Sequence, residues 1–170
     1  MNPMREIKIH KVTVNIGVGD VGDEVEKSAQ LIEKVTGSTA VKTKSGKGAK
    51  GFGKREGLEI GAKTTLRGEK AKEVLERLLN AMEENLSIDN FDDQGNFAFG
   101  VPEYINIDGV EYDPDIGMAG MDVAVTLERP GFRVKRRDVK SSNIGKSHRI
   151  SPEEAANFVK NEFGIEVKGA

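Results

Sequence analysis

Between Leu58 and Leu66 the core-type residues Leu58, Ile60, Ala62, Thr64 and Leu66 occupy every second position, with Glu59, Gly61, Lys63, Thr65 and Arg67 between and after them. A period of two sends alternate side chains to opposite faces of an extended chain. One face of this strand is therefore built for a core. The other presents Lys63, Thr65 and Arg67 side by side, to water or to a polar ligand. Gly68 breaks the pattern, and Ala71, Val74, Leu75, Leu78, Leu79, Met82 and Leu86 follow at helical spacing. That stripe predicts an amphipathic helix seated on the sheet.

The remaining elements build on this unit. Val12, Val14 and Ile16 alternate within a first strand, and a helix is predicted from about Asp23, with Val25, Ala29, Ile32 and Val35 inward and Gly37 as its stop. Ala40–Thr43 reads as a short strand. Residues 44–57 hold five glycines and five cations without apolar periodicity, which predicts a long mobile basic loop. Short strands are expected at Phe97–Phe99, Tyr104–Ile107, Val110–Tyr112 and Asp122–Leu127. A turn at Arg129-Pro130-Gly131-Phe132 then leads into a basic strand and loop. Ser151, Pro152 and Glu154 spell a capping box at the start of a last helix that ends at Gly164. The expected fold is α+β: one domain over residues 1–170, a mainly antiparallel sheet with helices packed on one side.

Charge is segregated along the chain. The net charge is only −2, yet residues 40–72 carry ten basic and three acidic side chains, residues 73–128 one basic and fourteen acidic, and residues 129–149 eight basic and one acidic. Like charges collected this way repel one another, and a polyanion lying on the basic blocks supplies a reason for them. Candidate phosphate contacts are Lys11, Lys42, Lys44 and Lys63, with Arg133, Lys135, Arg136 and Arg137 in the second block. The acidic block is the candidate surface for a basic protein.

Catalytic and metal chemistry find little support. The chain has no cysteine and only two histidines, His10 and His148, so thiolate nucleophiles, disulfides and Cys- or His-rich metal sites are excluded. No apolar run approaches the ~18 residues of a membrane span, and a cytosolic protein is expected. Gly17-Val18-Gly19-Asp20-Val21-Gly22 matches the dinucleotide fingerprint, but Asp20, Asp23 and Glu24 stand where a pyrophosphate would bind. Gly48 to Lys54 fits the start of a P-loop and then offers Arg55 where the magnesium-binding hydroxyl belongs. The acidic run around Asp89–Asp93 fits no EF-hand. His10 is read as facing away from Val12 and Val14 without an evident partner. No catalytic residue, metal or cofactor is expected. These glycine-rich, cationic segments share one property, a backbone able to lie against phosphates.

Four blocks together resemble a known family: Lys11-Val12-Thr13-Val14-Asn15-Ile16-Gly17-Val18-Gly19, Gly51-Phe52-Gly53-Lys54-Arg55-Glu56-Gly57, Ile60-Gly61-Ala62-Lys63-Thr64-Thr65-Leu66-Arg67-Gly68, and Tyr112 to Val123. In this order they are similar to the large-subunit ribosomal protein family called L-five, which binds 5S ribosomal RNA. Arg129-Pro130-Gly131-Phe132-Arg133 resembles its archaeal and eukaryotic branch. The resemblance implies a non-enzymatic constituent of the large subunit, located in the cytoplasmic ribosome at the central protuberance, with 5S RNA contacted by Asn15, Thr65 and Arg67. It implies further contacts with large-subunit rRNA, with a neighbouring large-subunit 5S-binding protein and with a small-subunit head protein at an intersubunit bridge. The loop bearing Lys47, Lys50, Phe52, Lys54 and Arg55 is implied to reach P-site tRNA.

Overall fold

The computed structural model describes residues 2–82 and 86–169. Five strands form one sheet: β1 (Lys8–Gly17), β2 (Val41–Lys44), β3 (Glu59–Leu66), β4 (Phe97–Val101) and β5 (Met121–Glu128). Their order is β2-β3-β1-β5-β4, and every neighbouring pair is antiparallel. The alternation in the sequence becomes the two faces of this sheet. Val12 and Val14 of β1, Ala62 and Leu66 of β3, and Val123, Val125 and Leu127 of β5 are buried on the inner face. Three helices, α1 (Asp23–Thr36), α2 (Glu69–Asn80) and α4 (Pro152–Phe163), add Leu31, Ile32, Leu75, Leu78, Ala155 and Val159 to the same core. One further helix, α3 (Arg133–Arg136), is a single turn.

Helix boundaries follow local chemistry. α1 stops at Gly37, whose φ of 59° lies in the left-handed region that glycine enters without strain. α4 begins at the expected capping box, in which the Ser151 side chain accepts from the Glu154 amide at 3.2 Å and Glu154 accepts from the Ser151 amide at 3.1 Å. α2 ends at Asn80, earlier than the apolar stripe predicts. Leu86 still reaches the core, its carbonyl accepting a hydrogen bond from the Lys168 amide at 2.7 Å, and residues 83–85 lie outside the described residues.

Four expectations change. Tyr104–Asn106 is a turn of 3-10 helix, and no strand forms at Val110–Tyr112. Pro102 follows β4 directly and cannot donate to a ladder. Tyr104, Ile107 and Val110 are buried from an irregular loop, pinned where the Tyr104 hydroxyl accepts from the Asp113 amide at 3.0 Å. The segment after Phe132 is helical at α3, not extended. Residues 44–57 are not a featureless loop either: Lys47–Phe52 winds into a 3-10 helix. Buried Ser45 closes the base of this segment, donating its hydroxyl to the Arg55 carbonyl and accepting from the Leu58 amide at 3.1 Å.

Candidate nucleic-acid interface

Because the helices cover one face, the other face of the sheet is open. Register determines what stands on it. Asn15 lies between Lys63 of β3 and Asp122 of β5, Thr13 between Thr65 and Ala124, and Lys11 opposite Thr126. On β4, Ala98 and Gly100 continue the same rows and keep the surface low. Gly61 is needed for this packing: a Cβ there would stand 2.6 Å from the Ile16 carbonyl and 2.9 Å from the Thr43 hydroxyl. The face is polarised. Its β1–β3 half carries Lys11, Lys63 and, just beyond the strand, Arg67, while its β4–β5 half carries small residues and Asp122.

Thus the fold gathers Lys11, Asn15, Lys63, Thr65 and Arg67 onto one surface. Among the described residues, none of these five side chains has a hydrogen bond or ion pair with another group of the protein. Several other cations are engaged: Lys34 with Asp113 at 3.3 Å, Lys72 with Glu162 at 2.5 Å, Lys54 with Asp20. Lys42 is placed differently. It stands opposite buried Ala62 and turns toward α1, where it pairs with Glu26 and, at 3.7 Å, with Glu59. The Glu26 hydrogen bond holds its ammonium above the ordinary lysine range. Lys44 is exposed across from Glu59 at the end of β2, beside an irregularity in the register.

The second basic block lies against the edge of the same face. A β-bulge between Ile9 and Lys11 leaves His10 without a cross-strand partner and swings it out of strict alternation. Its ring meets Arg136, and its Nε2 lies 3.9 Å from Glu128, which itself pairs with Arg136 at 2.8 Å. Burial is the main cause that lowers the His10 pKa; Glu128 opposes it, and Arg136, Arg67 and Lys11 push it down further. Side chains from distant segments therefore act on one another here. The bulge was not visible in the sequence, and neither was the pairing of His10.

The rest of the block is a folded cap. Lys135 donates to Gln94 at 2.9 Å and Arg137 to the Lys140 carbonyl at 2.7 Å, while Arg133 is exposed. Arg129 is 4% exposed and serves structure: it donates to the carbonyls of Arg5 at 3.1 Å and Arg149 at 2.9 Å and to Glu154 at 2.8 Å. Burial pushes the Glu154 carboxyl upward, but hydrogen bonds from the Ser151 amide and from Arg129 outweigh it and leave its pKa lowered. In the 44–57 segment, Lys47 and Arg55 are exposed and Lys54 is tied to Asp20. The side chains of Lys50 and Phe52 lie outside the described residues.

The Gly17–Gly22 turn is closed by the protein itself. The amides of Val18 and Gly19 both donate to the Ile60 carbonyl, at 3.0 and 2.9 Å. The acidic loop after β4 is likewise internally bonded, since Asp113 accepts from the Asp115 amide at 3.1 Å.

Comparison with known proteins gives the family. Residues 2–55 match the family model described as ribosomal protein L5, and residues 59–167 match the one that describes the C-terminus of the same ribosomal family. The chain is 47% identical over 168 residues to the large ribosomal subunit protein uL5 of Sulfurisphaera tokodaii, covering 98% of this chain and 95% of that one. It is 46% identical to the uL5 of Nanoarchaeum equitans, with 98% of each chain covered. The uL5 of Methanococcus vannielii is 45% identical over 97% of this chain and 93% of its own length. These relatives are constituents of the ribosome and not enzymes, in keeping with the cytoplasmic location expected from the sequence. From its first strand to its last helix, the chain belongs to the ribosomal protein L5 family of the large subunit.

Proposed function

We propose that this large-subunit protein binds 5S rRNA on its open sheet face and helps attach it to the subunit. Asn15, Thr65 and Arg67 would read riboses and exposed base edges of a folded RNA loop. Lys11 and Lys63 would contact phosphates and carry the salt-dependent part of the affinity. The observation that carries this reading is the set of five polar side chains, gathered on the uncovered face and, among the described residues, unbonded within the protein. Such groups stay exposed at little cost and are available to a partner. Lys42, engaged on the helix side, would not join this surface.

The exposed cations of the second block, Arg133 and Arg137 among them, suit further rRNA beside the 5S site. The glycine-rich segment around Lys47 and Arg55 projects from the far ends of β2 and β3 and is our candidate for contact with P-site tRNA. The loop after β4, with Glu103, Asp108, Glu111 and Asp115 exposed, suits a basic small-subunit protein at an intersubunit bridge. A neighbouring large-subunit protein that also holds 5S rRNA would complete the assembly.

Filter binding of 5S rRNA against an unrelated RNA hairpin, at two salt concentrations, tests the central claim. The 5S RNA should bind more tightly at both. Arg67→Ala should weaken 5S binding by about 1–3 kcal/mol if the guanidinium makes a bidentate contact. Unchanged 5S affinity in that variant would overturn the site. Deleting residues 46–53 should leave 5S binding intact and weaken tRNA-dependent function, and loss of 5S binding would refute that division of roles.

A further inference from the structure

Where the basic cap meets the open sheet face, the two do not close completely. A cavity of about 200 Å³ remains at the seam. The half-buried ring of Phe132 gives it an apolar surface, and β5 borders it at Leu127, whose side chain belongs to the inner core. Thr126 and Asn96 line it as well, and so do the cations Lys11, Lys135 and Arg136. Phe132 is held in place by an edge contact with His148, ring centroids 5.8 Å apart. The lining thus combines a flat aromatic surface, the Thr126 hydroxyl and cations, while the Asn96 side chain is already bonded to the Leu127 amide at 3.2 Å and to Asp92 at 2.8 Å.

That combination matches the two halves of a nucleotide. A base has an apolar face that stacks on aromatic rings and a polar edge that hydrogen-bonds, and its phosphate is met by lysine or arginine. We propose that the seam takes one unstacked nucleotide of the bound RNA, with its base against Phe132 and its phosphate at Lys135 and Arg136. This rests on the RNA-binding reading of the adjacent face and adds a specific place where one residue of the RNA leaves its stack. Continuity supports it: Lys11 and Thr126 are cross-strand neighbours, so the cavity opens onto the surface already assigned to RNA. Among the described residues, Glu128 is the one acid lining the cavity, and it is already engaged, bonded to Arg136 at 2.8 Å. It orients the guanidinium and leaves the lining cationic.

Amide NMR spectra of the whole chain, titrated with AMP and separately with inorganic phosphate, test the proposal without 5S rRNA. AMP should shift the amides of Leu127, Phe132 and Arg136, and phosphate should shift those of the cations alone. Identical shifts with the two ligands, or none with AMP, would overturn it. Thr126→Phe should fill the cavity, abolish the AMP response and weaken 5S binding about tenfold. Phe132→Leu, which keeps an apolar surface but removes the ring, serves if the first variant fails to fold, and a full AMP response in it would again refute the pocket. Wild-type 5S binding without an AMP response sinks the pocket alone, whereas absence of 5S binding sinks the reading beneath it.

Discussion

His10 shows how much one bulge determines. Burial and the nearby positive charges place its folded pKa below the ordinary 6.5, with Glu128 opposing them. A base with a depressed folded pKa takes up its proton more readily when the chain is unfolded. Its contribution to stability is therefore full above about pH 6.5 and is lost as pH falls through the folded value. Urea titrations across this range should show that loss, and His10→Gln should flatten it. RNA phosphates placed on Lys11 and Arg67 would oppose the same cations and raise the His10 pKa. Binding would then take up a proton, so 5S affinity should strengthen as pH drops below about 6.5. Affinity that weakens over that interval, or a trend that survives His10→Gln, would show that bound RNA does not act on His10.

Among the elements, β3 illustrates both what the sequence discloses and what it withholds. Its alternation is unbroken because one face meets helices and the other meets none, so both the strand and its polar face could be read directly. The caps of α4 were equally plain, since Ser151, Pro152 and Glu154 each have a local reason to stand where they do. Gly61 could not be interpreted that way. Only the paired strands reveal that a side chain would collide with the Ile16 carbonyl and the Thr43 hydroxyl. Gly61→Ala should destabilise the fold by about 1–3 kcal/mol through overpacking, measurable by urea denaturation. Wild-type stability would mean that β1, β2 and β3 part more easily than their register suggests. The loop of residues 102–120 misled for a related reason. Tyr104, Ile107 and Val110 are spaced three apart, and their burial depends on a hydroxyl bonded to the distant Asp113 amide. The inward turn of Lys42 was hidden because Val41-Lys42-Thr43-Lys44 has no apolar face to distinguish its two sides.

At the scale of the whole molecule, a net charge of −2 conceals two electrically different sides. The open face pairs cations with small residues, and the helix side bears Glu69, Glu73 and Glu76 exposed along α2. A polyanion can approach only one of these without repulsion, so orientation precedes contact. Affinity for 5S rRNA should fall steeply with salt, and Lys63→Gln should lower the slope of log K against log salt by about one while leaving preference for 5S over other RNA intact. An unchanged slope would show that Lys63 meets no phosphate.

Arg129 carries a last consequence. A single guanidinium joins the carbonyl of Arg5 to those of His148 and Arg149 and to the first turn of α4. Segments from opposite extremities are fastened at one knot, so neither can fray while the other stays docked. Deuterium uptake should accordingly report one shared opening event for the amides of both regions. During synthesis, the leading segment must then wait, undocked, until the trailing helix emerges to secure it.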